Sequence, residues 1–334
     1  MSTCDNPKLE TRNSKPRRFV RLALALALFA ASGANCQQYT RQFTQPRTLP
    51  PSATLDQVMM VVNDNAARVQ SLQSTQATLS VPGAPSLRAN VALQMPQRLR
   101  LRADAPLGGP ELDLGNNEDV FWLWVRRNQP PALFFCRRDQ FDMSSARQII
   151  PVEPEWLIEA LGLARFDPLQ SHEGPKPVGS GRVEVRTHRP SALGDLTKIT
   201  IIDAWDGTVL EQHLYDAQGQ RIATAITSRY KRDPNSGAAL PRSIDVQWPT
   251  AGMSFHLDVT DWQVNAIPAE NLLLWSKPEY PGYPNVDLAD PNLRFTVPAG
   301  AVPSASATGP ASLSGPTVVY PNSVQYPAAT APPR

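Results

Sequence analysis

Proton transfer and metal ligation would fall first to four histidines, His172, His188, His213 and His256, because imidazole titrates near neutral pH and binds metals. They are scattered. No two stand at a metal-site interval, and none is spaced from a cysteine as a zinc ligand would be. No metal is expected. Asp203 and Asp206 flank Trp205, and two carboxylates that close could divide acid and base roles at a glycosidic bond. Asp206-Gly207 is also hairpin-turn chemistry, which is the better account of it. The chain has no Gly-x-Ser-x-Gly elbow and no phosphate-cradling glycine loop. It is therefore read as non-enzymatic, with no catalytic residue and no cofactor. Cys136 closes the apolar run Pro131-Ala-Leu-Phe-Phe-Cys136 and reads as a buried structural thiol. The pairs Arg126-Arg127 and Arg137-Arg138 read as solvated turns that could also meet lipid headgroups.

The residue with the most definite chemistry is Cys36. Met1–Arg18 is polar and basic, Phe19–Ala31 is mostly apolar, and small residues Ser32-Gly33-Ala34 precede Asn35 and Cys36. That order describes a removable export signal over residues 1–35. The unbroken apolar run Leu22–Ala31 is about half of the ~20 residues a membrane helix needs. Cys36 stands where a lipobox carries the cysteine that is acylated and becomes the new N-terminus, although Asn35 replaces the usual Gly, Ala or Ser. Diacylation anchors a chain at ~0.8 kcal/mol per buried CH₂. The alternative is an ordinary cut after Ala34, leaving Cys36 free to bridge to Cys136. If Cys36 is acylated, Gln37 lacks the aspartate that holds familiar Gram-negative lipoproteins at the inner membrane, so the outer membrane, facing the periplasm, is expected. The signal carries +4 of a chain total of +2, leaving about −2 on the mature protein. No basic domain remains, and a nucleic-acid partner is not expected.

Elements must position whatever site exists. Gln37–Ala53 is polar with three prolines and reads, with the anchor cysteine, as a flexible tether over 36–53. Its reach is roughly 20–25 Å. Residues 298–334 are rich in Pro, Ala, Ser and Gly and read as a disordered tail. Between them, 54–297 reads as one β-rich domain. Thr54 and Gln57 form a capping box for a helix carrying Leu55, Val58, Met59, Val62, Ala66, Val69 and Leu72 at helical spacing. Strands are predicted at 76–81, 87–94, 98–103, 111–114, 120–126 and 133–136. A second helix follows at 155–163, then a Gly/Pro break at 174–181. Six further strands are predicted at 182–188, 197–204, 210–215, 223–230, 242–248 and 254–262, separated by turn signals such as Asp206-Gly207. The fold class is mainly β with α: a single, strongly curved antiparallel sheet of about 11–12 strands, an incomplete half-barrel, with helices on its concave side.

Four stretches carry a family resemblance: the aromatic strand pair Leu112–Val125, the hairpins Ile201–Gln212 and Leu214–Gln220, and the strand Arg242–Trp248. With the export signal, tether and first helix, they resemble the LolA/LolB-like lipoprotein carriers, whose half-barrel is shared by RseB-type sensor domains. The likeness covers about residues 54–266. It implies acyl chains held between an apolar concave sheet face and a helical lid. The residues it nominates as cavity lining are Val58, Met59, Val62, Leu93, Leu101, Val120, Trp122 and Trp124. The implied partners are acyl chains or lipoproteins, the membrane through the lipidated N-terminus, and an envelope protein. A sensor or scaffold that uses the fold for protein contacts is the alternative. Val120, Trp122 and Trp124 share one strand face and Phe121, Leu123 and Val125 the other, so this strand must be covered on both sides. The stretches 271–275 and 278–283 have no counterpart in the carriers, and Leu272–Trp275 could pack across the sheet.

Overall fold

The structure, a computed structural model, describes residues 47–128, 131–191, 194–296 and 317–319. The expected export signal, Cys36, most of the expected tether and nearly all of the expected tail lie outside the described residues.

The helix α1 spans Leu55–Ala67. Its capping box forms as the spacing predicts: Gln57 N donates to Thr54 Oγ1 at 3.3 Å, and Thr54 N donates to Gln57 Oε1 at 2.9 Å. The helix stops short of Leu72, because Leu72 enters a strand, β1 (Ser71–Ser80). Leu72, Ala77 and Leu79 bury their side chains there. Apolar residues three apart fit a helix or, across an intervening turn, a strand, and pairing with the next strand decides between them.

From β1 the chain meanders outward through β2 (Leu87–Gln94), β3 (Arg98–Ala105), β4 (Gly109–Asn116), β5 (Val120–Val125) and β6 (Leu133–Arg137). It then crosses to the far edge, β7 (Ser171–Gly179). From there it meanders inward through β8 (Arg182–Arg189), β9 (Leu196–Asp203), β10 (Val209–Tyr215), β11 (Arg221–Ser228), β14 (Ser243–Trp248) and β15 (Met253–Val259). A small hairpin, β12 (Lys231–Arg232) with β13 (Ala239–Leu240), interrupts this run. β15 closes the circuit by pairing antiparallel with β1, and β16 (Gln263–Val264) also pairs with β1. At the outer edge β17 (Asn285–Asp287) runs parallel to β6. Separately, β18 (Arg294–Thr296) pairs with β19 (Thr317–Val319).

The result is one 15-stranded sheet, unclosed, with β17 and β7 at its ends. Two expectations are corrected here. The sheet is mixed rather than wholly antiparallel, because β17 joins in parallel. It also holds more strands than the expected 11–12, partly because the Gly/Pro stretch at 174–181 is mostly strand. Pro175 and Pro177 have no N–H to donate, and an edge strand needs donors on one side only.

This topology forces the chain between β6 and β7 to traverse one face of the sheet. It does so as a buried plug, with Phe141, Ile150, Val152, Trp156, Leu157, Ile158 and Leu161 set into the main core. The plug includes a short helix, α3 (Pro154–Ile158), preceded by α2 (Ala146–Ile149) and continued by a wider π-type turn over Glu159–Leu163. Against it the sheet presents Val91, Leu101, Leu114, Leu123 and Phe134, one from each successive strand of β2–β6 in register. α1 lies on the same inner face over β8–β10, burying Val58 and Val62 against Val185, Ile202 and Val209.

The outer face is covered by the chain after β16. Ile267, Leu274 and Trp275 pack on Ala92, while Tyr280 and Tyr283 pack on Trp122, Trp124 and Leu133. β5 is thus covered twice, with its residues divided between faces as their alternation requires. Beneath Tyr280 lies a buried carboxylate. Asp113, with a fully buried side chain, receives Arg100 Nη2 at 2.7 Å, Trp122 Nε1 at 3.1 Å and the Tyr280 hydroxyl at 2.8 Å. Burial, and then the charge of Asp113, push the Tyr280 phenol well above its ordinary range.

Candidate ligand cavity

Along the inner face, side chains change character at β8–β10. The facing positions there are Thr187, Lys198, Thr200 and Gln212, brought side by side by the pairs Thr187↔Lys198 and Gln212↔Thr200. A cavity of about 430 Å³ opens here between the end of α1, the plug and these strands. Its apolar lining is Val152, Trp156, Phe166, Leu196 and Leu214. Its rim is charged and largely paired: Lys198 Nζ lies 2.7 Å from Glu159 Oε2, Arg189 pairs with Glu153, and Arg147 lies 3.0 Å from Asp142. Lys198 also stands 5.9 Å from the Phe166 ring centroid. Asn63 of α1 fixes the far wall by exchanging hydrogen bonds with the Phe166 backbone, each 2.8 Å.

Three buried polar atoms in this region make no protein hydrogen bond: Trp156 Nε1, Thr200 Oγ1 and Gln212 Oε1. Unpaired buried polar atoms cost free energy, and of these three residues Trp156 lines the cavity. Gln212 is held by its other end, Nε2 donating to Glu159 O at 2.9 Å.

The histidines do not assemble a reactive centre among the described residues. Each faces a hydroxyl or carboxylate directly across a strand pair: His172 with Thr187 at 2.9 Å, His188 with Thr197 at 3.4 Å, His213 with Thr224 at 3.2 Å and His256 with Asp245 at 2.8 Å. His172 Nε2 lies 2.7 Å from Asp167 O, so it carries the proton and Nδ1 accepts from Thr187. That would suit a base beside a nucleophile, but two other histidines make the same cross-strand contact with a threonine, so strand pairing accounts for it. Asp203 Oδ1 accepts Trp205 N at 2.7 Å, and Asp206 Oδ1 accepts Thr208 N at 2.9 Å, as turn residues do. Cys136 is buried, which pushes its thiol pKa up and makes it a poor nucleophile.

The nominated lining residues fall into three separate clusters. Val58, Met59 and Val62 join the α1 cluster, and Leu93 and Leu101 lie in the main core under the plug. Val120, Trp122 and Trp124 face the other way, under Tyr280 and Tyr283. None of the eight lines the cavity. Its residues went unnoticed in the sequence because Thr187 and Lys198 read as ordinary polar strand positions. The available signal was that Ile199 and Ile201 leave β9 apolar on the wrong alternation for a simple one-sided strand.

No protein-family model matches the chain, and no curated protein sequence does. Among solved structures it is similar to an outer membrane lipoprotein-sorting protein domain from Vibrio parahaemolyticus, at 12% identity over 64% of this chain and 94% of that one, TM-score 0.43. It is also similar to a LolA superfamily protein from Nitrosomonas europaea, at 12% identity over 68% and 99%, TM-score 0.42. A third is the Pseudomonas aeruginosa MucA/MucB complex, at 12% identity over 72% and 69%, TM-score 0.21. Carrier-type and RseB-type structures, the two kinds that the sequence resembles, are both among them.

Proposed function

We propose that this chain is a non-enzymatic envelope protein, exported and anchored through acylated Cys36, that binds an acyl chain in the cavity over β8–β10. The ligand is a free lipid or the lipidated end of a protein. The observation that carries the reading is the cavity itself. Its volume of about 430 Å³ falls within the roughly 300–1,000 Å³ of small-ligand sites. Apolar side chains line it, and a charged rim offers contacts to a polar head. The eight residues nominated from the sequence are not needed for this site; Trp156, Leu196 and Leu214 take their place. Outer-membrane placement follows from Cys36 and Gln37 if the cysteine is acylated.

A second reading, a sensor or scaffold that binds a protein partner, is favoured by one feature. The plug fills the inner face that a carrier would leave open, so the space left is local rather than groove-long. Native mass spectrometry of detergent-free protein tests the first reading. Lipid retained at one per chain, and lost in Leu214→Trp, which fills the cavity, supports it. A wild-type protein with no retained lipid and no uptake of added fatty acid excludes it and leaves the sensor.

A further inference from the structure

The residues that line the cavity over β8–β10 sort by exposure. Val152, Trp156, Phe166, Leu196 and Leu214 are buried. Arg165, Asp167 and Pro168, on the segment between the plug and β7, line the same space and are exposed. The interior is therefore apolar, and this segment stands where the cavity meets solvent. Its backbone is held in place. Ala164 and Phe166 are 2% and 3% exposed, and Arg165 O accepts Lys198 Nζ at 3.4 Å.

The lining cations differ in one respect. Arg147 pairs with Asp142, Arg189 with Glu153 and Lys198 with Glu159. Arg165 has no carboxylate partner among the described residues. Its side chain reaches Ala66 O from Nη2 at 3.5 Å, at the long end for a hydrogen bond. The remaining lining carboxylates are engaged elsewhere: Glu155 pairs with Arg138, and Asp167 Oδ1 accepts Leu169 N at 2.9 Å within its turn. A guanidinium presents a planar fork of N–H donors that fits a carboxylate or a phosphate. On an open surface water satisfies such a fork. Here it stands at the rim of an apolar space, so a ligand whose tail fills that space brings its head to Arg165.

The geometry points to an acyl chain with an anionic head, carboxylate or phosphate, as the ligand of this cavity. Arg165 receives the head, and Trp156, Leu196 and Leu214 surround the tail. This rests on the cavity reading above and narrows it. The lipidated end of a protein is set aside, because the ester and amide links of its acyl groups carry no negative charge. Binding an anion at Arg165 breaks no existing ion pair, since Lys198 and Arg189 keep Glu159 and Glu153.

The test is isothermal titration calorimetry on the purified protein, stripped of retained lipid. The probes are dodecanoate, dodecyl phosphate, monolauroylglycerol and dodecylphosphocholine, each below its micelle concentration. The two anions are expected to bind tighter than the neutral and zwitterionic probes by about 10- to 100-fold, as hydrogen bonds between charged groups allow. Arg165→Gln, a change at an exposed position, is expected to remove that advantage and leave monolauroylglycerol binding unchanged. Whichever anion binds tighter identifies the head as carboxylate or phosphate. Equal binding of all four probes, tighter binding of dodecylphosphocholine than of the anions, or an anion preference that survives Arg165→Gln overturns the proposal. Leu214→Trp separates the two layers. If it abolishes binding of probes that the wild type does not tell apart, the cavity stands and the head assignment falls. If the wild type binds none of them, or binding survives Leu214→Trp, the cavity reading falls and the proposal with it.

Discussion

The Tyr280 hydroxyl donates to Asp113 Oδ2 at 2.8 Å across 167 residues of sequence, and this bond fastens the C-terminal part of the domain to the outer face of the sheet. The ring of Tyr280 stacks on Trp124 at 3.9 Å between centroids, with planes 10° apart. The same carboxylate is the counter-ion of Arg100, whose Nη1 also donates to Leu274 O at 3.0 Å. One buried charge pair therefore ties β3, β4, β5 and the covering segment together.

Removing Asp113 should be costly. Arg100, with a side chain 11% exposed, would be left without a counter-ion, and Trp122 and Tyr280 without an acceptor. Asp113→Ala is expected to cost about 3–5 kcal/mol. Tyr280→Phe loses one hydrogen bond to a charged group and should cost about 1.5–3 kcal/mol. In urea unfolding, the double variant should lose less than the sum, since both act on one contact. Strict additivity would mean the bond contributes nothing.

Gly115 has no room for a side chain. A Cβ there would lie 2.0 Å from Trp122 Cζ2, and that ring is pinned by its bond to Asp113. Gly115→Ala should destabilise by at least the ~1–3 kcal/mol typical of overpacking. It should also disturb near-UV circular dichroism. An unfolding midpoint equal to wild type would show that the ring can move aside.

Alkali should weaken the fold through two phenols. Tyr230 and Tyr280 both hold their protons above the ordinary 10.0, burial being the larger cause in each. Asp206 adds to the effect at Tyr230 and Asp113 at Tyr280. The unfolded chain ionises them near 10 while the folded chain does not, so their contribution is complete below pH 10 and declines above it. Urea midpoints measured from pH 8 to 11 should fall beyond pH 10, and less steeply in Tyr280→Phe. A flat profile would contradict the burial of these hydroxyls.

The cap of α1 is a milder lever. Thr54→Ala removes the acceptor of Gln57 N and should cost ~1 kcal/mol. The loss should appear as faster amide exchange in residues 55–58, with β1–β6 unaffected. Exchange accelerated across the whole sheet would show that the cap supports more than the helix.

Local chemistry was legible before any fold existed. The Thr54–Gln57 box, the Asp206-Gly207 turn and the two-faced strand Val120–Val125 follow from interactions within a few residues, which the spacing of side chains reports directly. The sequence alone also set the number of long strands closely, since period-two alternation and turn residues are short-range properties. It could not say that β15 returns to β1, that the chain between β6 and β7 must therefore cross and fill the inner face, or that Asn285–Asp287 adds in parallel. Those outcomes depend on which distant strands bury the most apolar surface together. The cavity is of the same kind. Thr187 and Lys198 look like solvent-facing residues along the chain and become cavity lining only because α1 and the plug lie over them. The expectations of export and of acylation at Cys36 come from the sequence alone; where a cavity opens was decided by tertiary packing.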